Sequence, residues 1–180
     1  MKLLIASDLH GSAYYTKKLL QAIESEQSDK VLLLGDLLYH GPRNDLPRDY
    51  APKKVIEMLN SVKEKLLCVR GNCEAEVDQM VLSFPVLAEY AVLFLEGRRV
   101  YAVHGHKNMD LPFCKGDLLF SGHTHVPLIE ERNGIYYANP GSVSIPKEGS
   151  VHGYMTLCGD TLYHKSLDGE GIISVFQFLK

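Results

Sequence analysis

Seven residues of the chain combine side-chain types and spacings that could hold divalent metal: Asp8 and His10 in an Asp-x-His step, Asp36 behind Gly35, Asn72 behind Gly71, His104, and the pair His123 and His125 in Gly-His-Thr-His. Oxygen and imidazole donors without a thiolate suit manganese, iron or zinc and match calcium poorly. Two divalent ions a few ångströms apart repel strongly, so a carboxylate and a hydroxide shared between them are needed to hold the pair. Asp36 fits that bridge. Taken singly, these residues have bland readings: Asp-x-His is an ordinary loop pair, Gly-Asn a turn and Gly-Asp a helix cap. The spacing of His123 and His125 puts both imidazoles on one side if the backbone there is extended. The joint pattern carries the argument.

Each of these residues stands just past an apolar run. Runs 2–7 and 30–34 read as buried strands, and residues 12–26 between them set Leu19, Leu20 and Ile23 on one helical face. Pro52 can open a second helix carrying Val55, Ile56, Leu59 and Val62, and 66–69 reads as a third strand. Repeated β-α-β units imply a parallel sheet, whose strands deliver their C-terminal ends to one edge, where sites on open sheets form. Asp8, His10, Asp36 and Asn72 therefore converge. His104 follows the run 99–103, and His123 and His125 follow 117–121. After an expected helix over 73–82 the texture becomes strands joined by turn signals at Gly97, at Asn133 with Gly134, and at Gly159 with Asp160. Neither the polar loop 40–52 nor the turn cluster 139–142 has the composition of a linker, so a single domain over 1–180 is expected.

A chain of 180 residues that is 46% hydrophobic and 23% charged can bury a sizeable core. Its formal net charge of −3 gives no overall basic field for a nucleic-acid backbone. Asp8 and His10 interrupt the first apolar run well short of signal-peptide length, and no other run is long enough to cross a bilayer. Cys68, Cys73, Cys114 and Cys158 are scattered without a C-x-x-C pair and read as reduced thiols of a cytoplasmic protein.

The ordered motifs D-x-H, G-D, G-N-x-E, H-G-H and G-H-x-H, spanning residues 8 to 125, resemble the calcineurin-type metallophosphoesterase superfamily. Gly71-Asn72-Cys73-Glu74, His40-Gly41-Pro42-Arg43-Asn44 and the run from Asn139 to Pro146 look more narrowly like the YfcE-type bacterial phosphodiesterases, nearly end to end. The resemblance implies an α/β fold, a four-layer α/β/β/α sandwich of two mixed sheets flanked by helices. It implies that Asp8, His10, Asp36 and His125 hold one metal and that Asp36, Asn72, His104 and His123 hold the second, with manganese as the working ion and zinc or iron as alternatives. The implied activity is hydrolysis of phosphodiesters, and of phosphonate esters, by a hydroxide held between the two ions. The catalytic positions are then Asp36, Asn72, His104 and Cys73, the last standing where most of the superfamily has a histidine. His106 is expected beside the site but not as a ligand, and Arg43 is left between substrate contact and a surface role. His40, His152 and His164 have no motif support, and the tyrosines, Tyr14, Tyr15, Tyr136 and Tyr137 among them, read as packing residues.

Two other readings use the same residues. An interaction scaffold without turnover, as in the related retromer subunit, is expected to have ligand positions replaced, and here all seven are present. A nuclease needs a basic track that the overall acidity argues against. The expected partner is a small phosphoester whose identity the motifs leave open. The tail 172–179 is apolar on both faces of a strand, which suits either core burial or self-association as a dimer or tetramer.

Overall fold

The computed structural model describes residues 1–169 and 171–178. Strand β1 (Lys2–Ala6) and helix α1 (Ala13–Ser25) open the chain, followed by β2 (Lys30–Leu33), α2 (Pro52–Ser61), β3 (Leu66–Cys68) and α3 (Glu76–Val81). Eight strands complete it: β4 (Ala91–Leu95), β5 (Arg98–Ala102), β6 (Leu118–Phe120), β7 (Leu128–Arg132), β8 (Ile135–Asn139), β9 (Gly153–Cys158), β10 (Thr161–Ser166) and β11 (Ile172–Gln177).

They form two mixed sheets. The first runs β11-β10-β9-β1-β2-β3, with β1, β2 and β3 parallel; the second runs β4-β5-β6-β8-β7, with β5, β6 and β8 parallel. Side chains alternate along a strand, so β1 and β2 can be apolar throughout only if both faces are covered. Leu4, Val31 and Leu33 pack against Leu19 and Ile23 of α1 and Val55 and Leu59 of α2. Leu3, Ile5 and Leu32 face the other way, onto Val100, Leu118 and Phe120 of the second sheet. Each such fully buried aliphatic side chain contributes about 2 kcal/mol relative to exposure.

Local signals explain the boundaries. Ser12 caps α1, its hydroxyl accepting the Tyr15 amide at 3.3 Å, and Pro52 opens α2. Asn133 and Gly134 both have positive φ, at 56° and 81°, the conformation that a two-residue hairpin between twisted strands requires.

The two-sheet α/β sandwich agrees with the expectation, and its helical layer is concentrated on one side. Among the described residues, α1 and α2 pack on the first sheet, and α3 adjoins α2 through Asn60 Nδ2 donating to the Val81 carbonyl. The outer face of the second sheet carries the irregular segment 103–117, where Phe113 packs edge-on against Tyr101 at 4.9 Å. Gly105, Pro112 and Gly116 leave that segment without a helical period. Helix α3 is also shorter than the expected 73–82, because residues 73–75 stay in the loop that leaves β3. The apolar tail forms edge strand β11, with Phe178 buried just beyond it; Leu179, part of the expected tail segment, lies outside the described residues.

Candidate metal centre

The C-terminal ends of β1, β2, β3, β5 and β6 meet at one edge of the sandwich and deliver all seven candidate residues to it. Cross-braces join the loops: the amides of Asp8 and His10 donate to the carbonyls of Gly35 and Asp36 at 3.1 and 2.9 Å, and Gly122 donates to His104 at 2.8 Å. Asp8, His10, Asp36, His123 and His125 all adopt left-handed backbone, with φ of 59°, 46°, 55°, 66° and 61°. That conformation costs an L-residue roughly 1–2 kcal/mol, less for Asp and His than for most. It also corrects the expectation for the last pair, since His123 and His125 converge through turned backbone and not through strand alternation.

Three histidines are aimed by the same device. The Nδ1 atoms of His10, His104 and His125 lie 2.7, 2.6 and 2.7 Å from the carbonyl oxygens of Tyr39, Leu34 and Ile145. An acceptor there fixes the proton on Nδ1 and turns Nε2 inward as a ligand atom. The Nε2 atoms of His10 and His125 face one another at 3.2 Å, with Asp8 Oδ1 3.4 and 3.2 Å away. Asp8 Oδ2 is occupied by the Ser7 hydroxyl at 2.6 Å and the His123 amide at 3.0 Å, whereas Oδ1 is buried and has no hydrogen-bond partner among the described residues. Bare imidazole nitrogens and an orphan carboxylate oxygen pointed at one spot fit a cation.

A second group adjoins the first. Asp36 Oδ1 accepts the Cys73 amide at 2.9 Å, while Oδ2 lies 3.4 Å from His104 Nε2 and 3.7 Å from His10 Nε2, between the two lobes. Asn72 Oδ1 is 3.1 Å from His104 Nε2, and the His123 ring stands 5.1 Å from that of His104. Burial opposes charge on Asp8 and Asp36, yet the facing histidines outweigh it and hold both carboxyls below their ordinary values. Burial likewise opposes charge on His104, but Asp36 and Asp8 push it up to about 9. The two aspartates thus draw positive charge into the site. Burial, then the charges of Asp36 and Glu74, push the Cys73 thiol far up, so it holds its proton at neutral pH.

Several residues that position the site are not among the seven candidates. Glu74, buried, accepts three backbone amides: Asp36 and Gly71 on Oε2 at 2.8 and 2.6 Å, and Leu37 on Oε1 at 2.7 Å. The final position of G-N-x-E was the available signal. Gly71 and Gly122 are required by close approach, since a Cβ would fall 2.1 Å from Asp36 Oδ1 and 1.9 Å from Ser7 Oγ respectively. The turn cluster after β8 also finds its purpose, as the hydroxyls of Ser142 and Ser144 donate to the Asp8 carbonyl at 2.8 and 3.0 Å.

A cavity of about 460 Å³ opens over the centre, lined by His10, Asp36, Asn72, Cys73, His123 and His125, with Arg43, Asn44, Thr124 and Lys147 around them. His106 stands beside the centre, its ring 5.4 Å from that of His104, and is not among the cavity's lining residues. The imidazoles of His40, His152 and His164 do not line the cavity: that of His40 packs edge-on against Tyr39 and Tyr50, and that of His152 stacks on Tyr15 at 3.7 Å.

The family model of the calcineurin-like phosphoesterase superfamily domain matches residues 1–161. The phosphodiesterase YfcE of Escherichia coli strain K12 is 46% identical over 177 residues, which is 97% of this chain and 96% of that protein. A solved structure of YfcE, described as a phosphoesterase from E. coli, matches with a TM-score of 0.95 at 44% identity, over 99% of this chain and 100% of that one. Wild-type Vps29 from Entamoeba histolytica in complex with zinc matches with a TM-score of 0.67 at 20% identity, over 99% and 100% of the two chains, a likeness of fold alone.

Proposed function

The chain belongs to the calcineurin-like phosphoesterase superfamily, and from this we propose that it is a metal-dependent phosphodiesterase acting on small phosphoesters. The observation that carries the reading is the pair of adjoining lobes with Asp36 Oδ2 between them and an unsatisfied, buried Asp8 Oδ1 in one. Asp8, His10, Asp36 and His125 would hold one divalent ion, and Asp36, Asn72, His104 and His123 the second. Manganese is the ion we favour, with zinc or iron as alternatives that the same donors accept. When bound, such a pair lowers the pKa of water toward neutrality and offsets charge on a phosphoryl group.

The chain's own residues do the rest. Carbonyl anchors keep Nε2 of His10, His104 and His125 inward before substrate arrives, so little reorganisation is needed at reaction. Asn72 and His104, in mutual contact at 3.1 Å, stand where charge builds on the phosphoryl oxygens. Without metal, burial and Asp36 push the Cys73 thiol up, and its Sγ receives a bond from Asn72 Nδ2 at 3.3 Å, so no nucleophilic role is assigned to it. We further propose that 1–180 acts as one catalytic domain, in the cytoplasm and as a homo-oligomer. The four unpaired cysteines and exposed Ile172, Ile173 and Val175 on β11 support those points.

Hydrolysis of bis(p-nitrophenyl) phosphate after chelation and manganese add-back tests the proposal. Activity should vanish and return, and Asp36→Asn should lower it more than about 100-fold, beyond any single peripheral ligand change, with the circular dichroism spectrum kept. Near wild-type turnover by Asp36→Asn would remove the two-ion assignment.

A further inference from the structure

Two cations line the cavity without a task in the chemistry above. Arg43 and Lys147 are both exposed and both border it, and neither has a carboxylate partner among the described residues. Their loops are fixed to the metal centre. Arg43 follows Tyr39, whose carbonyl takes the Nδ1 proton of His10, and its turn is closed by Asn44 Nδ2 donating to the His40 carbonyl at 2.8 Å. The same turn reaches the centre's edge, since a Cβ on Gly41 would lie 3.6 Å from Cys73 Sγ. Lys147 follows Ile145, whose carbonyl takes the Nδ1 proton of His125, and its own amide donates to the His125 carbonyl at 3.2 Å. Each cation is therefore carried by a loop whose backbone orients a candidate ligand.

Charge counting shows that a plain diester leaves them unanswered. Of the four positive charges on two divalent ions, Asp8 and Asp36 answer two, an attacking hydroxide one, and the single negative charge of a phosphodiester the last. The charge of Glu74 is occupied by the amides of Asp36, Leu37 and Gly71, so no substrate charge remains for Arg43 and Lys147. A planar guanidinium beside an ammonium suits a further phosphate, which Arg can grip with two parallel bonds. We infer that Arg43 and Lys147 form an anion subsite beside the metal centre, and that the preferred substrates are phosphodiesters with a second phosphate on one arm. This rests on the phosphodiesterase reading and narrows its substrate class.

The test compares thymidine 5′-(p-nitrophenyl phosphate) with the same ester bearing a 3′-phosphate. The attacked phosphorus and the leaving group are identical, so only the added anion differs. Manganese-loaded wild type should favour the 3′-phosphorylated ester by about tenfold in kcat/KM, mainly through KM, and the preference should shrink as salt rises. Arg43→Gln and Lys147→Gln should each pull the ratio toward one. Calorimetric titration of the same three proteins with thymidine 3′,5′-bisphosphate and thymidine 5′-monophosphate reads the subsite without turnover, and the bisphosphate should bind more tightly only when both cations are present. Equal binding of the two nucleotides by wild type, or a preference untouched in both variants, overturns the subsite. Failure of the folded, manganese-loaded protein to cleave either ester would instead overturn the phosphodiesterase reading, and the titration would still decide the subsite.

Discussion

Cys73 is where the chemistry of this chain departs from the wider superfamily pattern, and its surroundings deepen the departure. A thiol is a weaker acid than the imidazolium it replaces, and in the metal-free site burial and the carboxylates of Asp36 and Glu74 push it further up, so it is a weak donor to a departing alkoxide. Loss of an acid matters most for basic leaving groups, so wild type should strongly favour diesters with acidic aryl leaving groups over alkyl phosphate monoesters. Cys73→His should flatten the dependence of rate on leaving-group pKa, and an identical slope in the variant would exclude residue 73 from proton transfer. The seven candidate ligands were legible because each follows an apolar run whose strand type fixes where it ends. The left-handed backbone at His123 and His125 was not legible, since nothing in Gly-His-Thr-His distinguishes an extended path from a turned one. Nor could the sequence alone point to Leu34, Tyr39 and Ile145, because they act through carbonyl oxygens that every residue has.

At the level of elements, Glu74 joins the loop after β2 to the loop after β3. Its carboxylate replaces water for three amides that no strand or helix satisfies, which is why the chain delays α3 until Glu76. Nothing in the sequence of 73–82 marks a side chain that folds back, so the expected helix starts three residues early. Glu74→Gln exchanges one acceptor for an NH₂ donor facing buried amides. It should cost about 2 kcal/mol and lower Tm by roughly 4–8 °C. Because Asp36 and Asn72 sit on the two joined loops, manganese affinity should also fall, by roughly 10-fold or more, in a competition titration with a chelator. Unchanged affinity in a destabilised variant would confine Glu74 to the fold. The hairpins of the β-rich half were readable from their turn residues, whereas the partition into two sheets was not, because pairing β9 with β1 depends on contacts across most of the chain's length.

Over the whole molecule, β11 presents Ile172, Ile173 and Val175 on an edge strand while Phe176 and Phe178 pack inward against Tyr136. An open apolar edge is a pairing surface, so light scattering should give a dimer or tetramer at micromolar concentration, and Ile173→Lys should shift it toward monomer. A monomeric wild type would leave the strand with its core role alone. The left-handed ligands bear on descent as well as on catalysis. Glycine adopts that conformation freely, so replacing His123 by glycine should raise the Tm of the metal-free protein by about 2 °C even as metal binding is lost. Ligand loss would then be favourable to folding. A chain released from the need for turnover would then lose these side chains without first losing stability.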